Sequence, residues 1–130
     1  MNEVTAKLSN YRQSPRKVRL VADTIRGKSV KEAKVRLDFI TKRATGPLHK
    51  LLNSAIANAK NLGIDVENLW VKAITVDGGA ILYRRRPVSR GSAHPIRKRT
   101  SHVNITLVEK QKPVKKVKTE VKKETKETKK

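Results

Sequence analysis

Residues 82–100 read LYRRRPVSRGSAHPIRKRT: six arginines, one lysine and no acid. The segments on either side, VKAITV at 71–76 and HVNITLV at 102–108, read as β-strands. A strand pair ordinarily closes through about two to five residues. A connection this long and this uniformly cationic is not a turn. It predicts an extended hairpin arm over about residues 77–101, with a compact tip where Gly91 and the small Ser92 and Ala93 follow Arg90. Pro87 and Pro95 cannot donate to a ladder and are expected at bulges or outside regular pairing. The DGG at 77–79 predicts a bulge or a flexible step before pairing resumes.

Working outward, the rest of the chain supplies a body for that arm. Val4, Ala6 and Leu8 alternate with Thr5 and Lys7, the period of a half-buried strand. Ser14 can cap a helix and Pro15 suits its first turn. Val18, Val21, Ala22 and Ile25 then fall on one helical face, and Gly27 can take the left-handed position at its end. SVKEAKVRLDFI at 29–40 predicts a second helix, with a Ser29–Glu32 capping box and a stripe of Val30, Ala33, Leu37 and Ile40. A third runs from about 41–44 to Leu62, with Leu48, Leu51, Leu52, Ala55, Ala59 and Leu62 inward and Pro47 confined to its first turn. His49, Asn53 and Asn58 on it read as structural or surface residues. In the last strand, Val103, Ile105 and Leu107 face inward. The strand at about 68–76 is mixed, with Leu69, Val71 and Ala73 on one face and Trp70, Ile74 and Val76 on the other. That pattern predicts that both faces are partly covered. The order of elements gives an α+β fold: three helices packed on one face of a three-stranded antiparallel sheet, with a long protruding β-hairpin.

Charge limits what such a fold can do. The 130 residues carry 32 Lys and Arg against 11 Asp and Glu, a net +21. That excess opposes compaction and calls for a polyanionic partner, nucleic acid first. An acidic membrane surface would need an amphipathic or lipidated anchor. No apolar run approaches the roughly 18 residues of a membrane helix. The first ten residues lack the apolar stretch of a signal peptide, so a soluble, cytoplasmic protein is expected. Residues 110–130 hold ten lysines and three glutamates, +7 of the total, which leaves +14 on a single domain at 1–109. With almost no large apolar residue, this tail is expected to be disordered. Lysine there is a hydrated point charge, whereas the arginines of 82–100 are planar forks suited to phosphate and bases. Arg16, Lys17 and Arg19 crowd the start of the first helix, where the dipole disfavours cations. An RNA phosphate at the helix start would offset them.

Catalytic chemistry is missing. The chain has no cysteine, which excludes disulfides, cysteine zinc sites and a thiol nucleophile. His49, His94 and His102 show no metal-ligand spacing, and there is no G-x-S-x-G, P-loop or G-x-G-x-x-G. No enzymatic activity, metal or cofactor is expected. The residues themselves leave two binding readings, a structural RNA-binding protein and an architectural DNA-binding protein with basic β-arms. The second class usually dimerises. This chain shows no long apolar seam, and no homo-oligomer is expected.

Four motifs carry a resemblance: SPRKVRLVADTIRGKSVKEA at 14–33, LLNSAIANAKN at 51–61, LWVKAITVDGG at 69–79 and PIRKRTSHVNITLVE at 95–109. Their order and separation resemble the ribosomal protein twenty-two family of the bacterial large subunit, over about residues 5–109. The resemblance implies a structural constituent that binds large-subunit ribosomal RNA, supports its assembly and touches neighbouring ribosomal proteins. It also implies that the hairpin threads into RNA and that its tip lines the nascent-peptide exit tunnel, with a link to macrolide sensitivity. Carried onto this chain, RNA contacts fall on Ser14, Arg16, Lys17 and Arg19, on Arg84, Arg85 and Arg86, and on Arg97, Lys98, Arg99, Thr100, Ser101 and His102. Tunnel-side positions fall on Arg90, Gly91, Ser92, Ala93 and His94. The lysine tail lies outside the resemblance.

Overall fold

Alternating apolar residues build a three-stranded antiparallel sheet in a computed structural model of the chain, which describes residues 3–109. The strands are β1 (Glu3–Tyr11), β2 (Leu69–Pro87) and β3 (Ala93–Glu109), in the order β1-β3-β2. Pairing stacks their inward residues in rungs across the sheet: Val4–Leu107–Val71, Ala6–Ile105–Ile74 and Leu8–Val103–Val76. All of these except Leu8 are buried. The tail read as disordered lies outside the described residues.

The mixed pattern of β2 arises from a shift of phase within the strand, and its outward Trp70 and Ala73 are themselves half-buried, in keeping with partial cover on both faces. Val71 pairs with Leu107 and Ala73 with Thr106, so Lys72 is an extra residue, a bulge. The extra residue shifts the inward phase by one. Leu69 and Val71 point in before it, Ile74 and Val76 after it, and all four are buried. The outer edge of β2 is covered by the loop that follows the first helix, where the Gly27 N–H donates to Val71 O and the Val71 N–H to Lys28 O.

The helices α1 (Pro15–Ile25), α2 (Val30–Phe39) and α3 (Thr45–Asn61) cover the inward face. Val18, Val21, Ala22 and Ile25 of α1 are all buried, as their spacing predicts. Two guanidiniums pin α1 to β2. Arg19 donates through Nε and Nη2 to Val76 O at 3.0 and 2.8 Å, and Arg26 Nη2 to Ile74 O at 3.1 Å. The α2 cap is half a capping box. The Glu32 N–H donates to Ser29 Oγ at 3.2 Å, while the Glu32 carboxylate accepts from Arg36. Pro47 falls in the first turn of α3, and Asn58 Nδ2 donates to Thr5 O, tying α3 to β1. His49 lies 3.5 Å from the Asn53 amide. Leu62 is not inward as expected but 65% exposed. The chain leaves the helix there, and Ile64, whose N–H returns to Ala59 O, takes the buried place. Ile56, unassigned by the spacing, joins the core as well.

Beyond the body, β2 and β3 stay paired without a third strand from Ile81↔Arg99 to Pro87↔Ala93. The prolines expected outside pairing sit inside the ladder. The Val88 N–H donates to Ser92 O at 2.9 Å, and antiparallel alternation then places Pro87 and Pro95 at positions whose N–H would point outward. The tip is a single turn, Ser89–Gly91, with Arg90 and Gly91 both left-handed (φ 59 and 71).

Candidate nucleic-acid interface

Two devices set where the arm leaves the body. In β2, Gly78 pairs with Ser101 and Ile81 with Arg99, so one residue of Gly79–Ala80 is extra. A Cβ on Gly79 would lie 2.5 Å from Thr100 Oγ1 and 2.9 Å from His102 Nε2. Only glycine admits these two side chains so close to the strand. Thr100 Oγ1 then donates to the Ala80 carbonyl at 2.7 Å, holding the bulge. In β1 the register shifts between Leu8 and Tyr11, and the left-handed Asn10 (φ 54) donates its N–H to His102 Nδ1 at 3.1 Å. Bulges on both neighbours of β3 are thus fastened by side chains of the Thr100–His102 segment. Such bulges bend and twist their strands and so aim whatever extends beyond them.

The register also makes the arm tolerable to itself. Like charges directly opposite destabilise a strand pair. Here Leu82 faces Lys98, Tyr83 faces Arg97, Arg84 faces Ile96, Arg85 faces Pro95 and Arg86 faces His94. No lysine or arginine of the arm faces another. Every residue from Tyr83 to Arg99 is exposed.

At the arm's base lies a cleft of about 570 Å³ between α1 and the hairpin, rimmed by Arg12, Lys17, Arg43, Arg84, Lys98 and Arg99. Gln13, Ser14, Leu82 and Thr100 complete it. A second cleft of about 540 Å³ on the other side of the α1 start is lined by Ser14, Pro15, Arg16, Arg19, Gly78 and Arg99. The two share Ser14 and Arg99 and neither is lined by an acid, and together they make up a basic basin. The helix start itself adds little. Pro15 has no N–H, Ser14 makes no side-chain cap, and the N–H groups of Lys17 and Val18 are bonded to Ser14 O. The side-chain cations carry the attraction.

Acids are used elsewhere. Asp23 pairs with Arg26, Glu32 with Arg36, Glu67 with Lys31 and Glu3 with Lys72, all on the body. Among the described residues no acid lies within ion-pair distance of the cations of the basin or the arm, and none of the groups of His and acids that could hold a metal is present. No described helix is long and apolar enough to cross a membrane.

The structure sorts the sequence-derived residues into three sets. Ser14, Arg16, Lys17, Arg19, Arg84, Lys98 and Arg99 converge on the basin. Arg85, Arg86, Arg97 and the Arg90–His94 tip extend away from it and are exposed. Thr100 and Ser101 are buried, at 6% and 0% exposure, and hold the hinge rather than offer a surface. His102 is half-buried in the same joint, and Arg19 is half-engaged by the Val76 carbonyl. Sequence reasoning missed Arg12, Gln13, Arg43 and Leu82. The first two sit just before α1 and Arg43 in the α2–α3 connection, so only the fold brings them together.

The same residues place the chain among known proteins. The family described as ribosomal protein L22p/L17e matches residues 6–108. A protein of Bdellovibrio bacteriovorus named large ribosomal subunit protein uL22 is 49% identical over 109 residues, 83% of this chain and 99% of its own length. The protein of that name from Citrifermentans bemidjiense is 50% identical over 109 residues, with 83% and 98% covered. That from Mycoplasma capricolum is 53% identical over 106 residues, with 81% and 96% covered.

Proposed function

The chain belongs to the ribosomal protein L22p/L17e family, and from that premise we propose that it binds large-subunit ribosomal RNA through its basin and arm, with the arm's tip at the wall of the nascent-peptide tunnel. As a member of that family it is a structural constituent of the large ribosomal subunit and not an enzyme. Its place of work is the ribosome in the cytoplasm, among neighbouring ribosomal proteins.

One observation carries the RNA part: an acid-free arm, exposed from Tyr83 to Arg99, rising from an acid-free basin. A two-stranded ribbon has too little core to be stable on its own in water. Phosphates on both faces of the arm neutralise its charge and release counterions. The arginine forks add bidentate contacts and stacking that lysines could not. The tip suits a confined wall because Ser89–Gly91 turns in three residues and Ser92 and Ala93 are small. The basic residues alone would also suit a minor-groove DNA binder, and the family removes that reading.

Sedimentation tests the proposal. After a high-salt wash, the chain is expected to stay in the large-subunit peak of a sucrose gradient. Recovery at the top of the gradient contradicts RNA burial. For the tip, a photocrosslinker replacing His94 is expected to capture stalled nascent peptides. Crosslinks to ribosomal RNA alone would remove the tunnel assignment and leave the RNA assignment standing.

A further inference from the structure

We propose that the 570 Å³ cleft between α1 and the base of the arm holds one unstacked nucleotide of the bound RNA, its phosphate on the cations and its base against Leu82. This rests on the RNA-binding reading above and makes one part of it specific. Electrostatic attraction to a passing phosphate needs only exposed cations, which the arm supplies throughout. The cleft differs in three ways.

It is first of all a volume. Its size falls in the range of small-ligand sites, about 300–1,000 Å³, and is much larger than one phosphate group requires. Secondly, its lining mixes two chemistries. Arg12, Lys17, Arg43, Arg84, Lys98 and Arg99 reach it from four separate segments, whereas Leu82, half-buried where the following arm residues are exposed, lies among them. A base unstacked from its strand packs on such a surface, against an apolar side chain and guanidinium planes. Thirdly, one polar side chain of the lining, Gln13, is held in place before any ligand arrives. Tyr11 Oη donates to Gln13 Oε1 at 2.6 Å and lies 3.3 Å from the Arg43 carbonyl, tying the segment before α1 to the α2–α3 connection. With its carbonyl engaged, Gln13 offers its amide N–H groups. The cleft is therefore rich in donors and suits a ligand rich in acceptors, which a nucleotide is through its phosphate and the O6 and N7 of guanine.

The test is a nuclear magnetic resonance titration of the full chain with guanosine 5′-monophosphate and, separately, ribose 5-phosphate at one salt concentration. The nucleotide is expected to bind at least about fivefold more tightly, the lower end of what stacking one base contributes. It should shift the Leu82 methyls and the Gln13 side-chain amide. In Leu82→Asn and in Gln13→Leu, two independent variants in case one folds poorly, the advantage of the nucleotide over ribose 5-phosphate should shrink. Equal affinity for the two probes overturns the proposal, as does a nucleotide response confined to the arm beyond Arg84. The RNA reading is tested separately. A Leu82→Asn chain retained in the salt-washed large-subunit peak leaves that reading intact whatever the titration gives, and loss of the wild-type chain from the peak removes it.

Discussion

Strands β2 and β3 pass through two environments. Beside the helices, Val71, Ile74, Val76, Val103, Ile105 and Leu107 are buried, and of the cations there Arg36 and Lys72 are paired with acids and Arg19 and Arg26 bonded to carbonyls of β2. Beyond Gly79 the same two strands run from Tyr83 to Arg99 with every side chain exposed and no acid. The body is held by removal of apolar surface from water. The arm removes almost none, leaving even Tyr83, Val88 and Ile96 exposed, so its backbone pairing, the interleaving of cations and the joint at Thr100–His102 are what shape it in the free protein. The difference teaches how one hairpin can be half packed scaffold and half exposed cationic arm. The division falls at a single glycine.

That comparison can be broken from the body's side first. Leu52 is fully buried, and Leu52→Ala should cost about 2–5 kcal/mol by denaturant unfolding, enough to threaten the fold. A loss below about 1 kcal/mol would mean the helical layer is not what stabilises the domain. At the joint, Gly79→Ala forces a Cβ against Thr100 and His102. Overpacking should cost about 1–3 kcal/mol, and residual dipolar couplings should show the arm rotated while the body is unchanged. An arm left at its original angle would show that the bulge does not aim it. Within the arm, Ile96→Arg sets a cation opposite Arg84. It should weaken the ribbon's pairing by about 0.2–1 kcal/mol, seen as faster amide exchange from Arg84 to Arg97 and no change in the body. Smallest of all, replacing Arg84, Arg85 and Arg86 by alanine should alter global stability by no more than about 0.5 kcal/mol. A larger loss would make these arginines structural.

How much of this could be read from the sequence depended on whether the signal was local. The α1 face was legible because Val18, Val21, Ala22 and Ile25 repeat at the helical period behind Ser14–Pro15. β3 was legible because Val103, Ile105 and Leu107 alternate without interruption. The faces of β2 were not legible because one inserted residue, Lys72, moves Ile74 and Val76 onto the same face as Leu69 and Val71. Pro87 and Pro95 were misplaced because whether a proline fits a ladder depends on pairing parity, which only the partner strand decides. The arm announced itself through its cations. The basin did not, since Arg12, Arg43 and Arg99 come from three distant segments. Nor did the burial of Thr100 and Ser101, whose neighbours in the chain are a run of exposed cations.

The central claim is that the arm's charge is neutralised by RNA phosphates. The most direct test is equilibrium binding of large-subunit RNA by the wild-type chain and the Arg84, Arg85, Arg86→Ala triple variant over a range of salt concentrations. Each lost phosphate contact removes about 0.7–0.9 from the slope of log K against log salt. The account predicts a slope shallower by about 2–3 for the triple variant, with thermal unfolding unchanged. Identical slopes for the two proteins would contradict it.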